Sequence, residues 1–196
     1  MRRTAYYITI TTDGMYADPN GGLDYFEPDE IGHRYANGLV RDAGDAVMGR
    51  RMYDVMDYWD ELDLDDPSVS DVEREFATFW RETPKHVASR GTPTLRANAD
   101  QIEGDLVDYV RRLRAGDGPD IMLAGGADLF AALSEAGLID DYRFAVAPMA
   151  LGQGKQLFGS LTKPLHLRLT ASRTFPDGTA LLEYVRDDEK TREAST

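Results

Sequence analysis

Three short stretches put cations, or missing side chains, where an apolar run ends. "GRRMY", residues 49–53, sets Arg50, Arg51 and Met52 directly behind Gly49. "PKHVASR" closes on Ser89 and Arg90, and "GGADLF", residues 125–130, places Gly125 and Gly126 ahead of Ala127, Asp128 and Leu129. Cations at a helix amino end oppose the macrodipole by about 0.3–1 kcal/mol each unless an anion compensates. In a chain of net charge −13, that placement points to a phosphate. A hydroxyl beside a planar guanidinium suits a phosphate monoester. Two glycines would let a phosphate approach the backbone, where the first N–H groups of the next helix would meet it. Each stretch also has a plainer use: a solvated helix start for the arginines, a tight strand-to-helix turn for the glycines. The glycine pair is neither a Walker loop nor a GxGxxG fingerprint. Asp13-Gly14, after the first apolar run, suits a turn as well as acid–base work.

The elements that must hold these residues alternate between two periodicities. Tyr6 to Thr12 reads as a strand that runs into a turn-rich loop, "TDGMYADPNGG". Residues 28–42 read as a helix with Ile31, Tyr35, Leu39 and Val40 on its inner side. A strand over 44–49 leads into a helix opening at Arg50, and residues 57–71 form an acidic surface excursion. Ser70 is a suitable N-cap for a helix burying Val72, Phe76, Phe79 and Trp80. A strand over 84–90 follows. After a loop comes a helix with Leu106, Val107, Val110 and Leu113 inward and Gly116 as C-cap. A strand over 120–124 then precedes the glycine pair and a helix over 127–136. The chain finishes with a further strand, a loop containing Pro148, Gly152 and Gly154, and a hairpin around a Pro-Asp-Gly turn, with Leu165, Leu167 and Leu169 alternating. This order predicts a three-layer α/β fold, a mostly parallel twisted sheet with an antiparallel C-terminal hairpin. In such sheets ligands bind beyond the carboxyl ends of the strands. All three stretches fall at such ends.

Composition narrows the partners. With 196 residues the chain suits one core, so residues 1–187 are expected to form a single domain and 188–196 a charged tail. The acidic balance, 22 basic against 35 acidic residues, disfavours nucleic acid and anionic membranes. No apolar run spans a bilayer, and the N-terminal segment lacks the apolar core of a signal peptide. There is no cysteine, and His33, His86 and His166 show no metal-ligand spacing, so no metal is expected. A cytoplasmic enzyme or binding protein fits these features.

Taken in order, "TTDGMYAD", "DAVMGRRMY", "PKHVASR", "LAGGADLFAAL" and "PMALGQGKQLF" resemble the dihydrofolate-reductase-like fold. More closely they resemble the reductase domain of the bifunctional riboflavin-biosynthesis deaminase–reductase and its stand-alone bacterial relatives. The resemblance spans roughly residues 5–185. It implies a homodimer, NADPH as hydride donor and a small heterocyclic or sugar-linked pyrimidine as substrate. It puts Gly49, Arg50, Arg51 and Met52 on the cofactor phosphates, and Ser89 and Arg90 near the 2′-phosphate. Gly125 and Gly126, often joined by a cis peptide in this family, would lie beside the pyrophosphate, with Ala127, Asp128 and Leu129 opening the phosphate-facing helix. Asp13 would border nicotinamide and substrate, as the candidate catalytic residue. The chain departs from the family at Met52, where threonine is usual. It departs again near His33, where a dihydrofolate reductase carries a carboxylate and this chain has none, Glu30 lying a helical turn earlier. The tryptophan often found after the first loop is replaced by Asp24, Tyr25 and Phe26. Dihydrofolate reductase and a non-catalytic nucleotide-binding domain are the competing expectations. Tyr25, Phe26, Tyr53 and Trp59 could line a substrate pocket, although core packing is the default use of aromatics.

Overall fold

The run "TAYYITIT" alternates buried and half-buried side chains as a strand requires, and it forms β1, Thr4–Thr11. The computed structural model describes residues 1–188 apart from Asp24, Tyr25, Glu27 and Ala97. After β1 come β2 (Met15–Ala17), α1 (Glu30–Asp42), β3 (Ala43–Gly49), α2 (Arg50–Met56), α3 (Tyr58–Glu61) and α4 (Asp71–Glu82). Then follow β4 (Lys85–Ala88), β5 (Ala99–Gln101), α5 (Leu106–Ala115), β6 (Asp120–Ala124), α6 (Ala127–Glu135) and β7 (Asp141–Ala147). The chain closes with β8 (Lys155–Gln156), a 3-10 turn (Leu157–Ser160), β9 (Leu167–Thr174) and β10 (Ala180–Arg186). The result is the expected mixed α/β, mostly parallel fold with an antiparallel C-terminal hairpin. The chain forms two compact units, one of Met1–Arg2 and Pro28–Gly125, the other of Arg3–Glu27 and Gly126–Thr196.

The first unit orders its strands β5-β4-β3-β6, all parallel. Ala46 and Met48 of β3 and Val87 of β4 meet Val40, Tyr53, Phe76 and Trp80 from α1, α2 and α4. Each large apolar side chain so buried contributes roughly 1.5–3 kcal/mol. The opposite face carries Asp45 and His86, whose imidazole bonds Tyr109 of α5, so helices cover both faces. The helix starts follow local chemistry. The Asp29 side chain accepts from Gly32 N at α1, Ser70 and Glu73 form a reciprocal capping box at α4, and Asp105 accepts from Asp108 N at α5.

The second unit orders β1-β7-β10-β9, parallel between β1 and β7 and antiparallel beyond. The Phe130 ring of α6 packs 5.0 Å from Tyr6 and 5.6 Å from Phe158. β2 and β8 pair as a short separate ribbon.

Several expectations shift. α1 turns Gly32, Asn37 and Val40 inward, while Ile31 is 55% exposed. The inner position 37 is polar because Asn37 Nδ2 donates to Val72 O and Glu75 Oε2, a packing decision made by α4. The acidic excursion contains α3, fixed where Arg81 Nε and Nη2 donate to the carbonyls of Trp59 and Leu62. β5 emerges from a stretch read as loop, because it completes pairing with β4. Leu169 is 49% exposed, because β9 is an edge strand with little covering it.

Candidate functional site

In the first unit, strand register decides what meets at the carboxyl edge. Gly49 pairs with Ala88 and Met48 pairs with Ala124, so Gly49 and Gly125 leave neighbouring parallel strands at one level, with Ser89 one residue beyond it on the third. α2 begins immediately behind Gly49 with no side-chain cap. Its open N–H groups and the space around Gly49, where an added Cβ would meet nothing within 4 Å, leave room for an anion. Arg51 is exposed. Arg50 Nε lies 3.4 Å from Asp54 Oδ2 with both side chains about half exposed, a pair weak enough to yield to a phosphate. Met52 turns the other way and packs against the Val40–Trp80 core. Ser89 Oγ accepts from Gly91 N, and its carbonyl accepts from Gln101 Nε2, which orders the turn that presents exposed Arg90.

The two adjacent glycines are needed for different reasons. Gly125 ends the first unit at φ +154°, a backbone angle that L residues rarely adopt. Gly126 begins the second unit as the N-cap of α6, with an extended backbone and no side-chain cap. A Cβ there would lie 2.7 Å from Tyr16 Cζ and closer still to the Tyr16 hydroxyl. Gly126 therefore admits a tyrosine ring. The peptide joining the pair is trans. Behind it, Asp128 accepts from Ser160 Oγ at 2.9 Å, and Leu129 is buried. An anion at this helix end would meet backbone N–H groups beside the Asp128 carboxylate.

Asp13 is an anchor in this arrangement. Its carboxylate accepts from Thr11 Oγ1, from Leu151 N at 3.3 Å and from Gly152 N at 2.7 Å. Those donors, the Thr11 hydroxyl first, hold its carboxyl below the usual carboxylate range. The loop after β1 is thereby tied to the Pro148–Gly154 loop, where Gly154 packs onto the Ala17 carbonyl. Tyr53 is core, and Trp59 packs against the core at 4.6 Å from the Phe76 ring. Phe26 is half-buried, and Tyr25 lies outside the described residues. A cavity of about 340 Å³ is lined by Tyr53, Asp54, Asp57, Thr94, Leu95 and Arg96. Arg96 is already held by Asp57 and Glu61, so this cavity offers an anion no uncommitted cation.

Sequence spacing did not reveal the polar chain Arg2–Asp45–His86–Tyr109. Arg2 Nη2 meets Asp45 Oδ2 at 2.5 Å, Asp45 Oδ1 meets His86 Nε2 at 2.7 Å, and Tyr109 Oη meets His86 Nδ1 at 2.8 Å. Its members lie far apart in sequence: pairing of β3 with β4 brings Asp45 to His86, while α5 supplies Tyr109 and the segment before β1 supplies Arg2. No cluster of potential metal ligands occurs among the described residues, and no helix there is long and apolar enough to cross a membrane.

The mostly parallel α/β fold with its antiparallel C-terminal hairpin is of the dihydrofolate-reductase-like class. The chain belongs to the RibD C-terminal domain family, which matches residues 5–181. The family is that of riboflavin-pathway reductase domains. Two Bacillus subtilis (strain 168) proteins are similar along nearly their whole lengths. Uncharacterized protein YyaP is 28% identical over 186 residues, covering 93% of this chain and 94% of its own. Uncharacterized protein YwjB is 26% identical, covering 94% and 98%. Among solved structures, a putative riboflavin biosynthesis protein from Shewanella sp. PV-4 superposes with a TM-score of 0.71 at 23% identity, covering 94% of this chain and 99% of that one. The Thermotoga maritima diaminohydroxyphosphoribosylaminopyrimidine deaminase/5-amino-6-(5-phosphoribosylamino)uracil reductase gives 0.67 at 16% identity, covering 95% of this chain and 57% of that one.

Proposed function

We propose that the protein is an NADPH-dependent reductase that delivers hydride to a carbonyl-like or imine carbon of a small heterocyclic or sugar-linked pyrimidine. The substrate class is that named for the Thermotoga reductase. The observation carrying this reading is the carboxyl edge of the first unit, where Gly49 and Gly125 share one level, with Ser89 one residue beyond, beside an uncapped helix and exposed Arg51. The open space at Gly49 fits a coenzyme phosphate. Gly49, Arg50 and Arg51 would hold phosphates, with Met52 seating their helix on the core. Ser89 and Arg90 would take the 2′-phosphate, and Gly125 would let the backbone turn away from it. Taken by itself, the second unit offers a phosphate the backbone N–H groups at the amino end of α6, with Gly126, Ala127, Asp128 and Leu129.

NADPH, when bound, supplies the hydride. The protein's part is orientation, for which geometry alone is worth up to ~7–11 kcal/mol of barrier. Asp13 would act through a bound water, since its own oxygens already accept from Thr11, Leu151 and Gly152. A dihydrofolate reductase would need an acid on α1 facing its pocket. Glu30 instead pairs with Arg34 at the surface, and His33 Nδ1 bonds Asn37 Oδ1, so α1 gives that alternative no support. The family resemblance carries the further expectation of a cytoplasmic homodimer.

The test is the double variant Arg51→Ala, Arg90→Ala. NADPH affinity should fall about tenfold or more, the scale of one or two lost charged hydrogen bonds, while NADH affinity changes far less. Calorimetric titration of both nucleotides reads the difference, and equal losses would refute the 2′-phosphate assignment. NADPH bound firmly but never oxidised across a pyrimidine and pterin panel would mark a nucleotide-binding domain instead.

A further inference from the structure

Gly126 carries a second consequence, which rests on the coenzyme reading above. Tyr16 stands on β2, where the pairing with β8 shifts register between Met15 and Ala17. Its half-buried ring fills the open side of Gly126, with Cζ 2.7 Å and Cε2 3.0 Å from where a Cβ would be. No atom of a dinucleotide can share that volume. The surrounding backbone is well held. Thr11 Oγ1 accepts from Met15 N at 3.0 Å, and Asp18 Oδ1 accepts from the N–H groups of Asn20, Gly21 and Gly22 at 2.7, 2.7 and 2.8 Å. The strand is thus anchored on both sides of the tyrosine, while the hydroxyl makes no hydrogen bond to any described residue. The side chain is the part free to leave.

We propose that Tyr16 is the residue that sets coenzyme affinity at Gly126, because its ring occupies the glycine's open side until the coenzyme displaces it. The measured affinity is then the intrinsic one reduced by the fraction of molecules whose ring has swung away. Removing the ring should expose the subsite permanently, whereas removing only the hydroxyl should leave the competition intact.

The experiment titrates full-length wild type, Tyr16→Val and Tyr16→Phe with NADPH, following nucleotide fluorescence at equilibrium and in stopped flow, with far-UV circular dichroism to verify folding. Tyr16→Val should bind about tenfold more tightly and associate faster, as expected if one molecule in ten is open, and Tyr16→Phe should match wild type. NADPH binding by Tyr16→Val alone would support the proposal in its strongest form. Equal affinity in wild type and Tyr16→Val, or weakened binding in Tyr16→Phe, would overturn it while leaving the coenzyme reading standing. Failure of all three to bind would overturn both. Should Tyr16→Val not fold, ring-labelled tyrosine in wild type serves: NADPH must shift the Tyr16 resonance, identified by its loss in Tyr16→Phe, and an unmoved resonance rejects the displacement.

Discussion

Gly49 and Gly126 begin as the same local solution. Each ends a strand-to-helix turn as the N-cap residue of a helix that has no side-chain cap, α2 in one case and α6 in the other. Their surroundings differ completely. Gly49 has nothing within 4 Å of where a Cβ would stand, whereas Gly126 is covered by the Tyr16 ring. A glycine before a helix therefore does not by itself mean an open backbone. It means only that a side chain is missing, and a residue distant in sequence decides whether that space is left to a ligand or filled.

The largest test of this contrast is Gly126→Val. The Tyr16 ring must be expelled, and overpacking of this kind costs roughly 1–3 kcal/mol, to be read by urea unfolding. Adding Tyr16→Ala should recover part of that loss, and strict additivity of the two changes would break the assignment of the contact. Next is the layer on which α2 rests. Lys85 is 2% exposed with Nζ 4.7 Å over the Trp80 ring, and burial pushes its pKa below the ordinary lysine value. A base with a lowered folded pKa destabilises the fold while charged, and that penalty lifts as pH climbs past the folded value towards the ordinary 10.5. Lys85→Met should gain up to about 1 kcal/mol near neutrality, with the gain shrinking in alkali. A gain that is constant with pH would exclude the charge as its cause.

Gly49→Val should be milder than its counterpart. The backbone, at φ −76° and ψ 152°, suits valine, so only cap preference is lost, within about 1 kcal/mol. NADPH binding should nevertheless suffer, and an equally large stability loss at both glycines would erase the contrast. The smallest effect belongs to Arg96→Met. Arg96 holds the Asp57 carboxyl below the usual range, so the pair's contribution is present above that range and is lost as pH falls through the lowered value. Both side chains are substantially exposed, so the loss should be small at neutral pH and vanish in acid, as acid-side denaturation curves would show.

Much of this molecule was legible in one dimension. The alternation in "TAYYITIT", the Ser70 cap with Glu73 three residues on, and the apolar spacing of Val72, Phe76 and Trp80 are short-range signals, and the structure keeps them. α1 shows where such signals stop. Its periodicity placed Ile31 inward, but Asn37 found carbonyl and carboxylate partners on α4 and turned the helix. Asp13 likewise read as acid or turn, and its part as an anchor depends on Leu151 and Gly152, well over a hundred residues away.

The alternation of the main strands and helices, the parallel α/β class and the glycines and arginines at strand ends followed from the sequence, because propensity, capping and periodicity act over a few residues. Tertiary structure alone decided that Tyr16 covers Gly126, that Asp13 is tied at three donors, and that Asp45, His86 and Tyr109 join in one chain. Those outcomes depend on strand pairing and close packing between segments remote along the chain, which no local pattern encodes.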